Sequence, residues 1–380
     1  MTRMAEASKA AGNGRPRILM FSQRNIIPNA LWRCPLYEFE DTVCQVDSVE
    51  LLAPRPEKWF QYGNRLANRV AARSTVALNP GIPKIEIKDE YDLLFTICSF
   101  PKDLLNFHLE HWKDHCKTSV CLVDEIWIKE LSQQRCYLNL LSKFDYLMLY
   151  YSQSVKPVGE ITGTKCLFLP PGVDAIRFSP YPDPPNRVID VYSIGRRSER
   201  THQALLEMAK EKKIFYVHDT ISGNQAIRSR EHREMLANMG KRSRYYIVNP
   251  GLIDAPEIRG DQIEIGNRYF EGAAAGNIMI GEIPGNEAYE KLFHWQDAVI
   301  HLPFGSGEIG KIIHELDGQP ARQEAIRREN MVQALKQHDW VYRWENVLRI
   351  VGMDPLPALS ERKKRLQDLS ETIEKERNNS

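Results

Sequence analysis

Residues 262–281 read QIEIGNRYFEGAAAGNIMIG, and the change of period inside this stretch points to the fold class. It begins polar and turns into a short apolar helix pattern. Ala273, Ala274 and Ala275 put small side chains together ahead of Gly276, whose position predicts the helix stop. Ile278, Met279 and Ile280 then form a brief continuous apolar run, the pattern of a buried strand. The stretch is therefore a helix, small enough on one face to pack close, that feeds a core strand. Glu271 lies on this helix, with Asn267 and Arg268 near its start. A helix N-terminus is a natural anion site, and a carboxylate beside one suits the hydroxyls of a sugar attached to the anion.

The alternation extends in both directions. Upstream, residues 189–194 (IDVYSI), 214–217 and 245–248 read as strands. They end at Gly195-Arg196-Arg197, His218-Asp219 and Asn249-Pro250-Gly251, with helices expected over 201–210 and 231–239. Downstream, 298–302 is one more strand, followed by helices over 307–316, 320–336, 340–351 and 359–377. Ahead of this series Pro170, Pro171, Pro180, Pro182, Pro184 and Pro185 crowd together, which marks a linker. Beyond the linker lies a separate series of strands: 18–21 (ILMF), 49–52, 91–98, 120–123, 144–151 and 166–170. Strands alternating with helices give doubly wound parallel sheets. Ligands bind such sheets at the carboxyl ends of their strands, where Ser22-Gln23-Arg24 and Asp124-Glu125 sit. The expected organisation is a disordered tail over 1–15, a Rossmann-like domain over 16–171, a second over 172–352 and a charged helix within 353–380.

Composition bounds the function. The chain has 380 residues, is 42% apolar and 27% charged, and carries a net charge of +1. That balance gives no electrostatic case for nucleic acid. The seven cysteines are odd in number, form no CxxC and all lie in the first half, the usage of a cytoplasmic protein with reduced thiols. No apolar run approaches the ~20 residues that span a bilayer, and the first fourteen residues lack the apolar core of a signal peptide. His and Cys never cluster at zinc-ligand spacings. No Gly-x-Ser-x-Gly, Walker A loop or Gly-x-Gly-x-x-Gly occurs, against hydrolase, ATPase and dinucleotide-binding readings. Residues 55–73 read as a basic amphipathic helix, with Lys58, Arg65, Arg69 and Arg73 interleaved with Trp59, Phe60, Tyr62, Leu66 and Val70. It is either a sheet-covering helix with a solvated basic face or a contact with an anionic membrane or acceptor.

Four segments together resemble group 1 retaining glycosyltransferases. PPGVDAIRFSP (170–180) is similar to their hinge motif, and SIGRR (193–197) to the Gly-Arg turn opening their second domain. RYFEGAAAGNIMI (268–280) resembles the segment with their donor-binding Glu. His338, Asp339, Trp340, Tyr342 and Arg343 resemble the end of the spore-maturation-protein-like branch. The resemblance implies a GT-B fold, α/β with two Rossmann-like domains facing a central cleft, over roughly residues 15–352. It also implies closure about residues 170–174 and a terminal helix that packs back on the first domain. The chain departs from the family pattern at defined places. Ile263 stands where the first Glu of a Glu-x7-Glu pair is usual, with Glu264 one position off. Thr201, beside Arg200, replaces an expected Lys. Ser22-Gln23-Arg24 replaces a Gly-rich loop, and Asp124 replaces a His.

The implied activity is a metal-independent, retaining transfer from a nucleotide-sugar donor to an acceptor hydroxyl on a glycan, a lipid-linked sugar or a small molecule. Metal-using transferases usually show Asp-x-Asp, which is absent here. Arginines and a helix N-terminus can stabilise a leaving diphosphate instead. No cofactor beyond the co-substrate is expected, and no nucleic-acid partner. The expected location is cytoplasmic, with the basic helix leaving open a peripheral contact at the inner membrane surface. The donor candidates are Arg196, Arg197, Arg200, Asn267, Arg268 and Glu271, with Arg24 reaching the donor or closing a salt bridge. Arg196 and Arg197 are phosphate contacts or surface charges on a turn. Glu271 is a ribose acceptor or half of an i, i+3 pair with Arg268. Asn267 faces phosphate or caps its helix. Asp124 and Glu125 are the catalytic candidates, to orient or deprotonate the acceptor hydroxyl or to bond the transferred sugar; otherwise they cap the next helix. A non-catalytic GT-B-like protein that binds a nucleotide or a partner is the alternative. A GT-B-fold epimerase or hydrolase would share the donor site without an acceptor.

Overall fold

The computed structural model describes residues 15–220 and 228–376; residues 1–14 of the expected tail lie outside the described residues. The chain divides into two compact units that change over between Pro170 and Pro171. Unit 1 holds the described residues up to Pro170 together with Trp344–Leu359. Unit 2 holds residues 171–220, Arg230–Arg343 and the residues from Ser360 onward.

Unit 1 is built on β1 (Ile18–Phe21), β2 (Val49–Leu52), β4 (Tyr91–Cys98), β6 (Cys116–Val123), β7 (Tyr146–Leu149) and β8 (Lys165–Phe168), with β3 (Ile85–Glu86) and β5 (Leu109–Glu110) forming a small separate pair. The main sheet is parallel in the order β2-β1-β4-β6-β7-β8. All four residues of β1 are buried, as expected of a strand covered on both faces. Leu19, Phe21, Leu94, Cys121, Val123, Leu147 and Leu149 lie in one core cluster. The order reverses between β1 and β4, so a ligand crevice is expected at their carboxyl ends.

Unit 2 repeats the plan with β9 (Ile189–Ser193), β10 (Tyr216–His218), β11 (Ser243–Val248), β12 (Ile278–Gly281) and β13 (Ile300–His301), parallel in the order β10-β9-β11-β12-β13. Its switch point lies between β9 and β11. The helix expected from the alanine run is Asn267–Ala274. It ends as a Schellman turn: Gly276 is left-handed at φ +64, its N–H donates to Ala273 O at 3.0 Å, and Asn277 N–H donates to Gly272 O at 3.0 Å. The half-buried Arg187 guanidinium donates to Ala275 O at 2.9 Å. The same helix lies so close to the sheet that a Cβ on Gly272 would stand 2.8 Å from Met279 Sδ. Gly281 is tighter still, because a Cβ there would fall 1.7 Å from Val248 O of the neighbouring strand. Gly281→Ala is therefore expected to cost about 1–3 kcal/mol of stability as an overpacking change, read as a lowered urea midpoint.

The segment read as a linker is fixed within unit 2. Val173 N–H donates to His338 O at 3.1 Å, Trp340 N–H to Val173 O at 3.1 Å, and Arg343 Nε to Pro171 O at 2.9 Å. Asp174 caps the helix Ala175–Phe178 and shares Arg362 with the fully buried Asp339, both at 2.8 Å. Buried charges of this kind persist only when paired, and here they bolt residues 171–174 to the segment 338–343. The terminal helix is Pro357–Glu376. From Ser360 onward it belongs to unit 2, held by Arg362 and by Lys336–Glu374 at 2.6 Å. The return to unit 1 is made earlier, where Trp344 Nε1 donates to Asp47 Oδ2 at 2.8 Å and its ring meets Phe95 edge-on.

Candidate functional site

The carboxyl edge of unit 2 gathers most of the candidates. β9 runs into Gly195, left-handed at φ +84, whose N–H donates to Asp219 Oδ2 at 3.1 Å. Asp219 Oδ1 accepts from Arg197 Nη1 at 2.9 Å, so one carboxylate at the end of β10 shapes the whole turn. Across the switch point, Arg196 pairs with Asp254 at 2.6 Å. A Cβ on Gly195 would have a single neighbour within 4 Å, Arg268 Nε at 3.9 Å. The Gly195 turn and the Arg268 guanidinium thus face each other with room for a ligand to approach the backbone. Arg268 sits in the first turn of Asn267–Ala274, whose N-cap is Gly266 with no side-chain cap. Asn267 Oδ1, beside it, is buried without a hydrogen-bond partner. Arg200 is exposed on the first turn of the helix Glu199–Lys210.

Of the two readings of Glu271, the i, i+3 pair with Arg268 is present. The Glu271 side chain is buried, 1% exposed. Its two oxygens are taken by Arg233 Nη1 and Arg268 Nη1. Burial pushes the carboxyl up, but the Arg268 and Arg233 charges outweigh it and hold Glu271 below the usual carboxylate range. Arg233 was not a sequence candidate. It belongs to the buried stripe Arg233, Leu236, Ala237 and Gly240 of the helix Ser229–Lys241, and a cation on the apolar face of an amphipathic helix was the available signal. Glu282 was also missed: it follows β12, accepts from Phe304 N at 2.7 Å and faces His301 Nε2 at 3.1 Å. Glu264 lies outside the helix, buried, with Gln262 Nε2 donating to it at 2.9 Å.

The carboxyl edge of unit 1 carries Ser22, Gln23, Arg24, Asp124 and Glu125. Of the two readings of Arg24, the salt bridge is realised: Nη2 lies 2.7 Å from Glu40 and 2.9 Å from Asp41, and Nε donates to Ser22 Oγ at 3.2 Å. Behind this edge Arg33 pairs with Asp103 at 2.7 Å in the core. Glu125 accepts from Trp127 Nε1 at 2.7 Å. Asp124 is partly exposed, and burial, then the Glu125 charge, hold its carboxyl well above the usual range. The folded state therefore favours the protonated form, and the associated stability is lost as pH rises from 3.8 through the raised value. Asp124→Asn is expected to abolish that loss. Urea midpoints of the two proteins should diverge in the variant's favour between acidic and neutral pH.

Among the described residues no three His, Cys, Asp or Glu side chains stand together as a metal site, and no helix is long and apolar enough to cross a membrane. All seven cysteines are unbridged.

Residues 196–349 match the model of the glycosyl transferase-like family. No curated protein matches the chain. Among solved structures, HepE of Anabaena in complex with UDP-glucose is 11% identical, with a TM-score of 0.50, over 88% of this chain and 99% of its own. An alpha-glucosyltransferase in complex with UDP-glucose and DNA containing an abasic site is 13% identical, with a TM-score of 0.54, over 88% and 99%. The chain has the GT-B fold. The matched stretch begins at Arg196, in the turn that follows β9. It takes in Arg233, the Asn267–Ala274 helix and β12, and so holds every donor candidate except Arg24.

Proposed function

We propose that the protein is a retaining, metal-independent glycosyltransferase that moves a sugar from a nucleotide diphosphate to an acceptor hydroxyl. One observation carries the reading: the Arg268 guanidinium, an uncapped helix N-terminus and the left-handed Gly195 turn converge at the switch point of unit 2. A diphosphate placed there meets backbone N–H groups and a fixed cation. Arg268 is its principal contact, with Arg196, Arg197, Arg200 and Asn267 as further donors around it. Glu271 acts through Arg268, as the residue that positions it. In the transfer the bond from the anomeric carbon to the diphosphate oxygen breaks as the acceptor oxygen bonds on the same face. The hydroxyl proton passes to the departing diphosphate. Arginines stabilise the charge that grows there, the task a metal performs in other transferases. Asp124, whose carboxyl is raised by burial and then by the Glu125 charge, suits a hydrogen bond to the acceptor hydroxyl, and Glu125 orients the acceptor beside it. The acceptor is a glycan, a lipid-linked sugar or a small molecule. His338, Asp339, Trp340, Tyr342 and Arg343 favour the spore-maturation-protein-like branch.

The test is a panel of UDP-, GDP- and ADP-sugars offered to the pure protein, with binding and free nucleotide measured for each. Turnover or binding of one class is the expected result. No binding and no turnover across the panel would sink the enzyme reading, and binding without turnover for any acceptor would favour a nucleotide-binding protein.

A further inference from the structure

We propose that unit 1 docks on an anionic lipid surface through the outer face of the helix Phe60–Ala71 and the segment that follows it. The inference is independent of which sugar is moved. The helix is seated by small residues: Ala67 and Ala71 are buried against Leu105, Cys136 and Tyr137. Its opposite face has no cover. Tyr62 is 78% exposed, Leu66 57% and Trp59 52%, and the exposed chain continues through Val76 and Leu78. Residues 59, 62, 66, 69 and 73 recur at helical spacing, so the aromatic and aliphatic groups form one stripe with Arg69 and Arg73. Trp59 is held in place because a Cβ on Gly63 would fall 2.4 Å from its ring and one on Gly81 3.3 Å from it.

Charge identifies the partner. Arg55, Lys58, Arg65, Arg69 and Arg73 are all exposed, and none makes an ion pair among the described residues, whereas Arg24, Arg33, Arg196 and Arg197 are all paired. Glu57 is the one acidic residue between positions 55 and 75. Five free cations beside five exposed apolar or aromatic side chains match a bilayer interface, where Trp and Tyr settle at headgroup depth, Leu enters the acyl boundary and arginines meet anionic headgroups. A nucleic-acid duplex rewards the cations through its phosphates but gives nothing for Leu66 and Val76. The patch begins a few residues after the carboxyl end of β2.

Sedimentation of the full-length protein with zwitterionic vesicles, and with vesicles carrying about three parts in ten of anionic lipid, tests the proposal. Partition onto the anionic vesicles is expected to be at least about tenfold stronger and to weaken with salt. Combined Arg65→Glu, Arg69→Glu and Arg73→Glu substitution should reduce it by about a hundredfold, at about fivefold per cation lost. Tyr62→Ser with Leu66→Ser should reduce it by about tenfold while leaving the capture of a short DNA duplex unchanged. These positions are exposed, so an unaltered thermal melt certifies the fold of each variant. Equal partition onto both kinds of vesicle overturns the proposal. So does indifference to Tyr62→Ser with Leu66→Ser, because the patch would then be a polyanion site that reads charge alone.

Discussion

Glu271→Ala is expected to destabilise unit 2 by about 3–5 kcal/mol, the cost of removing one partner from a buried charge cluster. The carboxylate lies between Arg233, whose side chain is 2% exposed, and Arg268. Without it two guanidiniums face each other, and Arg233 keeps its charge in the core over the Phe178 ring. The i, i+3 pairing of Arg268 with Glu271 would by itself contribute only ~0.2–0.5 kcal/mol on an open helix; burial and the second arginine raise the stakes. Urea unfolding at neutral pH checks the prediction, and a midpoint shift worth less than about 1 kcal/mol would show that the triad carries little. The pH dependence has a definite sign. The folded-state carboxyl titrates below its usual value of 4.5, so its stabilising contribution is complete above that value. It is lost as the pH falls through the depressed one. Glu271→Gln keeps the shape and removes the titration. The variant should therefore be less stable than the parent at neutral pH and should close the gap in acid.

That prediction goes beyond the pair with Arg268 that the sequence offered for Glu271, and the reason is specific. Periodicity is a local signal. It located all eleven strands of the two main sheets, because runs such as Ile18–Phe21 and Ile278–Gly281 are apolar throughout and parallel strands covered on both faces must be so. It located the Gly276 helix stop, because a left-handed residue is demanded there. It could not see that Arg233, on another helix, folds onto the far side of Glu271. Nor could it see that Glu40 and Asp41 neutralise Arg24. The proline-dense stretch after Pro170 illustrates the same limit. Its composition is that of a linker, yet residues 171–174 are fixed through partners near position 338. A Cβ on Gly172 would stand 2.7 Å from the Trp340 ring, so that glycine serves close packing and not flexibility. The motif at 338–343 likewise turned out to hold its neighbours: His338, Asp339 and Trp340 are fully buried. The donor edge was legible because its chemistry sits on strand ends, which topology fixes in advance.

Arg268→Ala should separate binding chemistry from architecture. On the proposed reading Arg268 is the preorganised cation for the leaving diphosphate, and losing one such group costs about 10²–10³-fold in kcat. Stability should change far less than in Glu271→Ala, because Glu271 keeps Arg233 and no buried charge is orphaned. Arg268 is itself 28% exposed, so its departure opens the site to water and leaves no sealed cavity. Arg268→Lys retains the charge but not the planar fork that can hold Glu271 with one nitrogen and a phosphate with another; a partial recovery of turnover is expected. The pair of variants therefore has crossed signatures. Glu271→Ala lowers the unfolding midpoint first and donor turnover as a consequence, whereas Arg268→Ala lowers turnover at nearly constant midpoint. Single-turnover measurements with a saturating donor, run beside urea titrations, read both axes. If Arg268→Ala left the rate unchanged, the phosphate contact would have to be assigned to the paired surface arginines Arg196 and Arg197. Their release from Asp254 and Asp219 would then become part of donor binding.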